Sequence, residues 1–397
     1  MYINDEQIMF IDRTILSKIR PVLDTPEAII ITGMRRTGKT SLLRHLYGLV
    51  PAENKLFLDL ENPLNRKYFE EENYERIKSN LVFLGLDFSR RAHVFLDEIQ
   101  YQKNLPSAAK YLVDHNNIKF FMTGSAGFAV KNLFTETLAG RKRLFELFPL
   151  TFREFLLFKD SRLVLPEDPR AVNRPIFDTV LPLYDEYLAF GGFPGVVLKA
   201  SAEEKREALD EIFTSYFNQD VIQLGDFRRN AVLRDFILLL AARIGSKLDI
   251  QKISRELGIS RLTLYDYLAF LEGTSFLQLV RPHTSGRNGE VRKTPKVYLC
   301  DSGLARHLAR PDAGLLFENG VFQNLRLKGE LRYFQKKNGP EIDFILDRRA
   351  GFEVKQSPQP ADLNRLRSSA AKLGLKSWLV VARNYSDLDG VTYGFMI

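Results

Sequence analysis

The sequence predicts an α/β chain whose first part is a parallel sheet with helices on both faces. Two observations predict it. A glycine-containing loop stands between an apolar run, Ala28-Ile29-Ile30-Ile31-Thr32, and a helical segment with Leu42, Leu43 and Leu46 on one face. Further strand candidates at 55–60, 93–96, 119–123 and 143–147 are separated by helical or loop segments. Strands alternating with helices imply parallel pairing with covered faces.

The loop is Gly33-Met34-Arg35-Arg36-Thr37-Gly38-Lys39-Thr40, followed by Ser41. Its form, G-x-x-x-x-G-K-[ST], is the phosphate-binding P-loop. Glycines let backbone N–H groups curl around phosphates, and the helix N-terminus adds the positive end of its dipole. The expected ligands are ATP and magnesium, with Lys39 on the β- and γ-phosphates and Thr40 on the metal. The bland alternative is a basic turn that matches by accident, and the flanking strand and helix argue against it.

The strand near 93–96 ends in Asp97-Glu98-Ile99-Gln100. Asp97 is the expected magnesium ligand, and Glu98 the carboxylate that polarises an attacking water. An acidic strand exit is the plain alternative. The following strand ends in Thr123-Gly124-Ser125, where Ser125 fits a γ-phosphate sensor or a helix N-cap. Arg141, in Gly140-Arg141-Lys142-Arg143, reads as an arginine finger for a neighbouring copy or as a surface charge.

Composition bounds the rest. With 397 residues the chain has room for two or three domains. A formal charge of +8 tilts toward an acidic partner such as nucleic acid. The single cysteine, Cys300, excludes an internal disulfide and a cysteine metal cluster. No targeting segment is visible and the longest strongly apolar run, 236–242, is too short for a bilayer, so the expectation is a cytoplasmic protein with no membrane partner.

Taken together, Tyr2-Ile3, Arg13, the P-loop, the strand ending in Asp97-Glu98, Thr123-Gly124-Ser125, Gly140-Arg141 and Pro149-Leu150-Thr151-Phe152-Arg153-Glu154-Phe155 resemble a family of prokaryotic AAA-type ATPases. Its members carry a C-terminal domain long labelled as of unknown function. Gly191-Gly192-Phe193-Pro194, Pro295-Lys296-Val297-Tyr298, Asp301-Ser302-Gly303-Leu304 and the tail from Phe317 continue the likeness over nearly the whole chain. The resemblance implies an ATPase core at 1–150, a helical lid at 151–230, a winged helix at 231–300 and a nuclease-like domain at 301–397.

The residues support a similar division. Residues 1–26 read as an opening helix with Ile15, Ile19 and Leu23 on its inner face. Segment 151–230 is helix-rich and punctuated by Pro166, Pro169, Pro175 and Pro182, with a sharp break at Gly191-Gly192 that is read as a tight turn. Around 249–271, Asp249 caps a helix bearing Ile250, Ile253 and Leu257. Gly258-Ile259-Ser260 then turns the chain into a second helix that buries Leu264, Leu268 and Leu271. Two strands joined by a basic loop follow, as in a winged helix. Candidate nucleic-acid contacts are Arg261, Thr263 and Tyr265 on the second helix and Arg281, Arg287, Arg292 and Lys293 on the wing, with Lys296 counted among its cations. Protein docking is the alternative use of such a module.

The tail holds Glu318 on an amphipathic helix, Asp343 in a strand and Glu353-Val354-Lys355 in the next. Its α-β-β-β-α-β order, with Glu…Asp…Glu-x-Lys, resembles the restriction-endonuclease fold. Glu318, Asp343 and Glu353 are the expected metal ligands there. Asp343, Glu353 and Lys355 are the catalytic candidates for phosphodiester cleavage. One departure is that Pro340, not the residue directly before Asp343, supplies the proline. An idle or salt-bridged site is the alternative.

The function expected is ATP hydrolysis coupled to action on DNA, with a C-terminal magnesium-dependent nuclease site and homo-oligomerisation left open. The other reading is a nucleotide-gated switch or a protein-remodelling ATPase with an inactive nuclease-like adaptor.

Overall fold

Continuous apolar runs are what a parallel sheet with both faces covered demands, and the fully buried runs at 28–32, 92–97 and 118–124 form the centre of one here. The computed structural model describes residues 10–125, 138, 140–225, 227, 229–284, 294–336 and 339–397. Tyr2, Ile3, Arg287, Arg292 and Lys293 lie outside the described residues. The chain divides into two compact units, Met1–Phe148 with two short later pieces, and Pro149–Ile222, Asp226–Glu272 and Phe276–Ile397.

In the first unit the strands are β1 (Ala28–Thr32), β2 (Lys55–Asp59), β3 (Ala92–Asp97), β4 (Ile118–Gly124) and β5 (Lys142–Glu146). Their order is β2-β3-β4-β1-β5, and every neighbouring pair is parallel. Helices α1 (Lys39–Leu49), α2 (Tyr74–Phe83) and α3 (Leu105–His115) are among the crossovers. Successive side chains alternate between faces. Ile30, Val94, Phe120 and Met122 enter one core, while Ile29, Ile31, Phe95 and Phe121 enter the other.

The opening segment is shorter than the helix its pattern predicts. It makes one α turn, Leu16–Ile19, and then a 3₁₀ turn, Arg20–Val22. Pro21 explains this, because it has no N–H to continue the α-helical ladder. The turn is fastened by Lys119 on β4, whose buried Nζ donates to the carbonyls of Val22 and Thr25 at 3.1 and 2.8 Å.

In the second unit, α4 (Phe152–Phe158), α5 (Arg174–Phe190) and α6 (Ala202–Ser215) come first. Pro182 sits inside α5 instead of breaking it. The flanking buried stripe, Val180, Tyr184, Tyr187 and Leu188, holds the helix through that position. Next come α7 (Asn230–Ala242), α8 (Ile250–Leu257), α9 (Arg261–Gly273), β6 (Leu277–Pro282) and β7 (Lys296–Leu299). Asp249 caps α8, Gly258 ends it in the left-handed region at φ 62°, and Ser260 accepts from the Thr263 N–H at 3.1 Å. Then follow α10 (Ser302–Ala309), α11 (Ala313–Leu325), β8 (Leu331–Gln335), β9 (Glu341–Leu346), β10 (Ala350–Lys355), α12 (Pro360–Lys372), β11 (Ser377–Ala382) and β12 (Val391–Tyr393).

These strands form one seven-stranded sheet in the order β12-β11-β10-β9-β8-β6-β7. Strand β6 pairs antiparallel with β7 and parallel with β8, with Arg281 opposite Arg332. The strand pair read as a wing is therefore continuous with the C-terminal sheet. Phe152, Tyr184 and Tyr187 share a core with Phe317, Phe322 and Phe395, so segment 151–222 packs with the C-terminal residues in the same unit.

Two sequence motifs meet in this unit. Asp301 is buried and accepts from the N–H groups of Gly192 at 2.7 Å and Leu304 at 2.9 Å. A Cβ on Gly191, whose φ is +77°, would lie 1.8 Å from an Asp301 carboxyl oxygen. The glycine pair is a packing requirement. Gly191→Ala is expected to destabilise the unit by about 3 kcal/mol or more, through overpacking and an unfavourable φ. Gly195→Ala, where an added Cβ meets nothing within 4 Å, is expected to be close to neutral. Urea unfolding of the two variants checks this.

Candidate functional site

The carboxyl ends of β1, β3 and β4 lie side by side, because parallel strands bring their ends to one edge. The P-loop leaves β1 there. Gly33 and Gly38 have φ values of 148° and 96°, and Gly38 starts α1 from the left-handed region. A Cβ on Gly33 would sit 2.2 Å from the Leu147 carbonyl oxygen, so the loop can run under the end of β5 only with glycine at that position. Thr37 donates to the Met34 carbonyl at 2.9 Å, and the buried Lys39 Nζ donates to the same oxygen at 3.0 Å. Arg13 clamps the arrangement from outside, donating to the carbonyls of Thr37 at 3.0 Å and Phe148 at 2.7 Å.

Asp97 ends β3 and is buried. Burial raises its pKa, against hydrogen bonds from Thr123 and Thr40 that lower it. The P-loop Thr40 and the strand-end Asp97 are thus brought together, as a shared magnesium requires. A carboxylate and a hydroxyl are hard oxygen donors that suit that ion. The residues fit the ligand pair that the loop implies.

Glu98 follows in the left-handed region at φ 55°. Its carboxylate accepts from Gln100 Nε2, and Ser125 Oγ lies 3.3 Å from the same oxygen. Gln100 also donates to Ser125 Oγ at 2.8 Å and accepts from the Ser125 N–H at 3.2 Å. Glu98, Gln100 and Ser125 form one latch that spans the ends of β3 and β4. Sequence reasoning placed Glu98 and Ser125 at this edge but gave Gln100 no role. It also left Thr123 and Arg13 without one. Arg35, within the loop, donates to the Tyr101 hydroxyl at 3.3 Å.

Arg141 lies at the other edge. Its carbonyl accepts from the Ala28 N–H where β1 begins, and its guanidinium pairs with Asp114 at 2.5 Å. It is not part of its own chain's phosphate site.

In the second unit the candidate contacts separate. Arg261 and Tyr265 are exposed on α9, and Arg281 is exposed on β6. Thr263 is half-buried and occupied by the cap, its hydroxyl 2.9 Å from Ser260 Oγ. Lys296, counted with the wing cations, points inward and is buried.

That lysine changes the reading of the C-terminal carboxylates. Its Nζ lies 3.3 Å from Glu318, 2.8 Å from Glu341 and 3.2 Å from Asp343. Burial works against the ammonium, but the carboxylates of Glu318, Asp343 and Glu341 outweigh it and raise its pKa. Asp343 also accepts from the Val354 N–H at 2.9 Å, and Glu353 pairs with Lys355 at 2.7 Å. Burial and the Asp343 charge push the carboxyls of Glu318 and Glu353 upward. Among the described residues no three His, Cys, Asp or Glu side chains converge on a metal position. The expected set of Glu318, Asp343 and Glu353 is instead divided between two lysines, and it does not fit a bound magnesium.

Comparison with known proteins agrees with the first half of this description. Residues 25–156 match the family profile described as an AAA domain, and residues 181–314 match one described as a domain of unknown function. An uncharacterized protein of Haemophilus influenzae is 26% identical over 94% of this chain and 94% of its own length. An uncharacterized protein of Methanocaldococcus jannaschii is 28% identical over 80% of this chain and 71% of its own. Among solved structures, the Orc1 protein of Aeropyrum pernix in complex with DNA aligns with a TM-score of 0.33 and 14% identity, covering 74% of this chain and 92% of that one. DnaA of Aquifex aeolicus bound to AMPPCP aligns at 0.28 and 13%, covering 64% and 86%. Likenesses this weak carry no argument about function.

Lys296→Met is expected to leave three carboxylates facing one another in a buried place and to cost about 3–5 kcal/mol at neutral pH. Thermal unfolding with and without millimolar manganese checks the assignment, since the variant's midpoint should rise with the ion while the native protein's does not.

Through residues 25–156, then, the chain carries a P-loop NTPase fold of the AAA type.

Proposed function

We propose that the chain binds and hydrolyses ATP with magnesium and uses the cycle to act on DNA. The observation that carries the ATPase reading is the Glu98–Gln100–Ser125 latch beside the Thr40–Asp97 pair. Gly33 through Ser41, with Lys39 foremost, would hold the phosphates, and Thr40 and Asp97 the metal. When bound, the magnesium nucleotide supplies the transferable γ-phosphoryl group and the positive charge that polarises it. Glu98 orients water and accepts its proton. Gln100 and Ser125 fix that carboxylate's direction, and Ser125 links it to the end of β4. A role for Arg141 in turnover would require a second copy of the chain, which keeps a homo-oligomer within the proposal.

The DNA part rests on charge and element order. The formal charge is +8, and the helix–turn–helix and strand-pair order of 230–299 presents Arg261 and Tyr265 outward. Cationic and aromatic side chains at the start of a second helix suit phosphate and base contacts. For the C-terminal carboxylates the second reading is favoured, an inactive nuclease-like adaptor, because Lys296 stands among Glu318, Glu341 and Asp343.

Lys39→Ala is expected to abolish nucleotide binding or turnover. Glu98→Gln should keep ATP binding and lower kcat by about a hundredfold or more, the scale of a lost general base. Calorimetry and phosphate release, with and without duplex and single-stranded DNA, test both parts. DNA-stimulated turnover supports action on DNA. Indifference to DNA together with tightly retained ADP supports the nucleotide-gated switch.

A further inference from the structure

A second candidate site lies in the C-terminal unit, away from the carboxylates. Helix α10 ends at Arg310, and the chain turns through Pro311 into α11. With α5, α6 and the end of β11, these segments line a half-open cavity of about 740 Å³. Its charged lining is one-sided. Arg206 comes from α6, Arg306, His307 and Arg310 from the end of α10, and Arg383 from the residue after β11, against a single acid, Asp185 of α5.

Partners account for part of that charge only. Arg383 pairs with Asp185, and His307 Nε2 lies 3.5 Å from Asp210. Arg206, Arg306 and Arg310 are exposed and enter no ion pair among the described residues. A structural explanation covers Arg306 and His307, because cations in the last turn of a helix complement its dipole. It does not cover Arg206, which arrives from another element, and Arg383 is shared with Asp185. Buried Leu209 and Leu316 form apolar wall, which strengthens charge interactions beside it.

The chemistry selects the ligand. A guanidinium is a planar fork that matches phosphate oxygens. Three unpaired forks, with a fourth that Asp185 shares, offer more donors than the oxygens of one phosphate engage, so the fitting anion carries several phosphates. The half-open shape of the cavity admits a long one. The Arg383 N–H donates to the Lys355 carbonyl at 3.0 Å, and the Asn384 N–H to Gln356 at 2.9 Å. Arg383 thus enters the cavity from where β11 meets the end of β10. The volume is in the range of ligand cavities and holds a short stretch of such a strand.

We propose that this arginine-lined cavity seats the phosphodiester backbone of a nucleic-acid strand, separately from helix α9. It rests on the reading that the chain acts on nucleic acid and adds a second contact surface to it.

The test is fluorescence anisotropy of a labelled oligothymidine with the full chain, over a range of salt. Replacing Arg206, Arg306 and Arg310 together by alanine is expected to weaken binding about tenfold or more. It should also reduce the slope of log K against log salt by about 2, since each single-strand phosphate contact contributes roughly 0.7. The corresponding triple lysine variant should keep the slope, and both variants should melt as the native protein does. Unchanged affinity and slope in the alanine variant would overturn the cavity's role while leaving DNA binding intact. Failure of the native protein to bind any DNA would remove both readings. Stabilisation by inorganic tripolyphosphate without DNA binding would identify a small phosphate ligand and overturn the strand.

Discussion

One guanidinium holds the phosphate loop in shape. Arg13 reaches the carbonyl of Thr37 inside the loop and that of Phe148 after β5. Leu147, beside Phe148, presses its own carbonyl against Gly33. The loop is therefore fixed between the opening segment and the edge strand, before any ligand contributes. A loop held this way gives up little conformational entropy on binding, so more of the phosphate interaction energy appears as affinity.

The second unit depends on a different constraint, the continuity of its sheet. Because β6 pairs with both β7 and β8, the wing strands are locked to the strands bearing Asp343 and Glu353. That pairing brings β7 to the edge of the carboxylate cluster and aims Lys296 into it. A buried ion cluster of this kind is seldom a net source of stability compared with apolar packing, but losing one partner is costly. What such a cluster supplies is the specification of one arrangement of strands.

The sequence made the first sheet and its loop legible because local patterns carried them. Glycine at fixed offsets, the apolar runs of the central strands and carboxylates at a strand end need no distant partner to be read. The latch was half legible: Glu98 and Ser125 declared themselves by position, whereas Gln100 looked like any polar residue after a strand. Arg13 was hidden because its partners lie 24 and 135 residues away. Lys296 was misread for a related reason. In a basic stretch a lysine looks solvated, and only the pairing of β6 with β8 shows that it faces acids. Pro21 and Pro182 make the same point from opposite sides. One ends the α turn that precedes it, and the other is carried through a helix whose buried residues on either side belong to a large core.

Lys296 differs from a metal in one respect that matters for the whole chain. It is covalently tethered, so it cannot exchange with the medium or be withdrawn by a chelator. The charge balance of the C-terminal sheet is thereby independent of the supply of divalent ions. On the function proposed above, the response of this protein to magnesium depletion would then be read at Thr40 and Asp97.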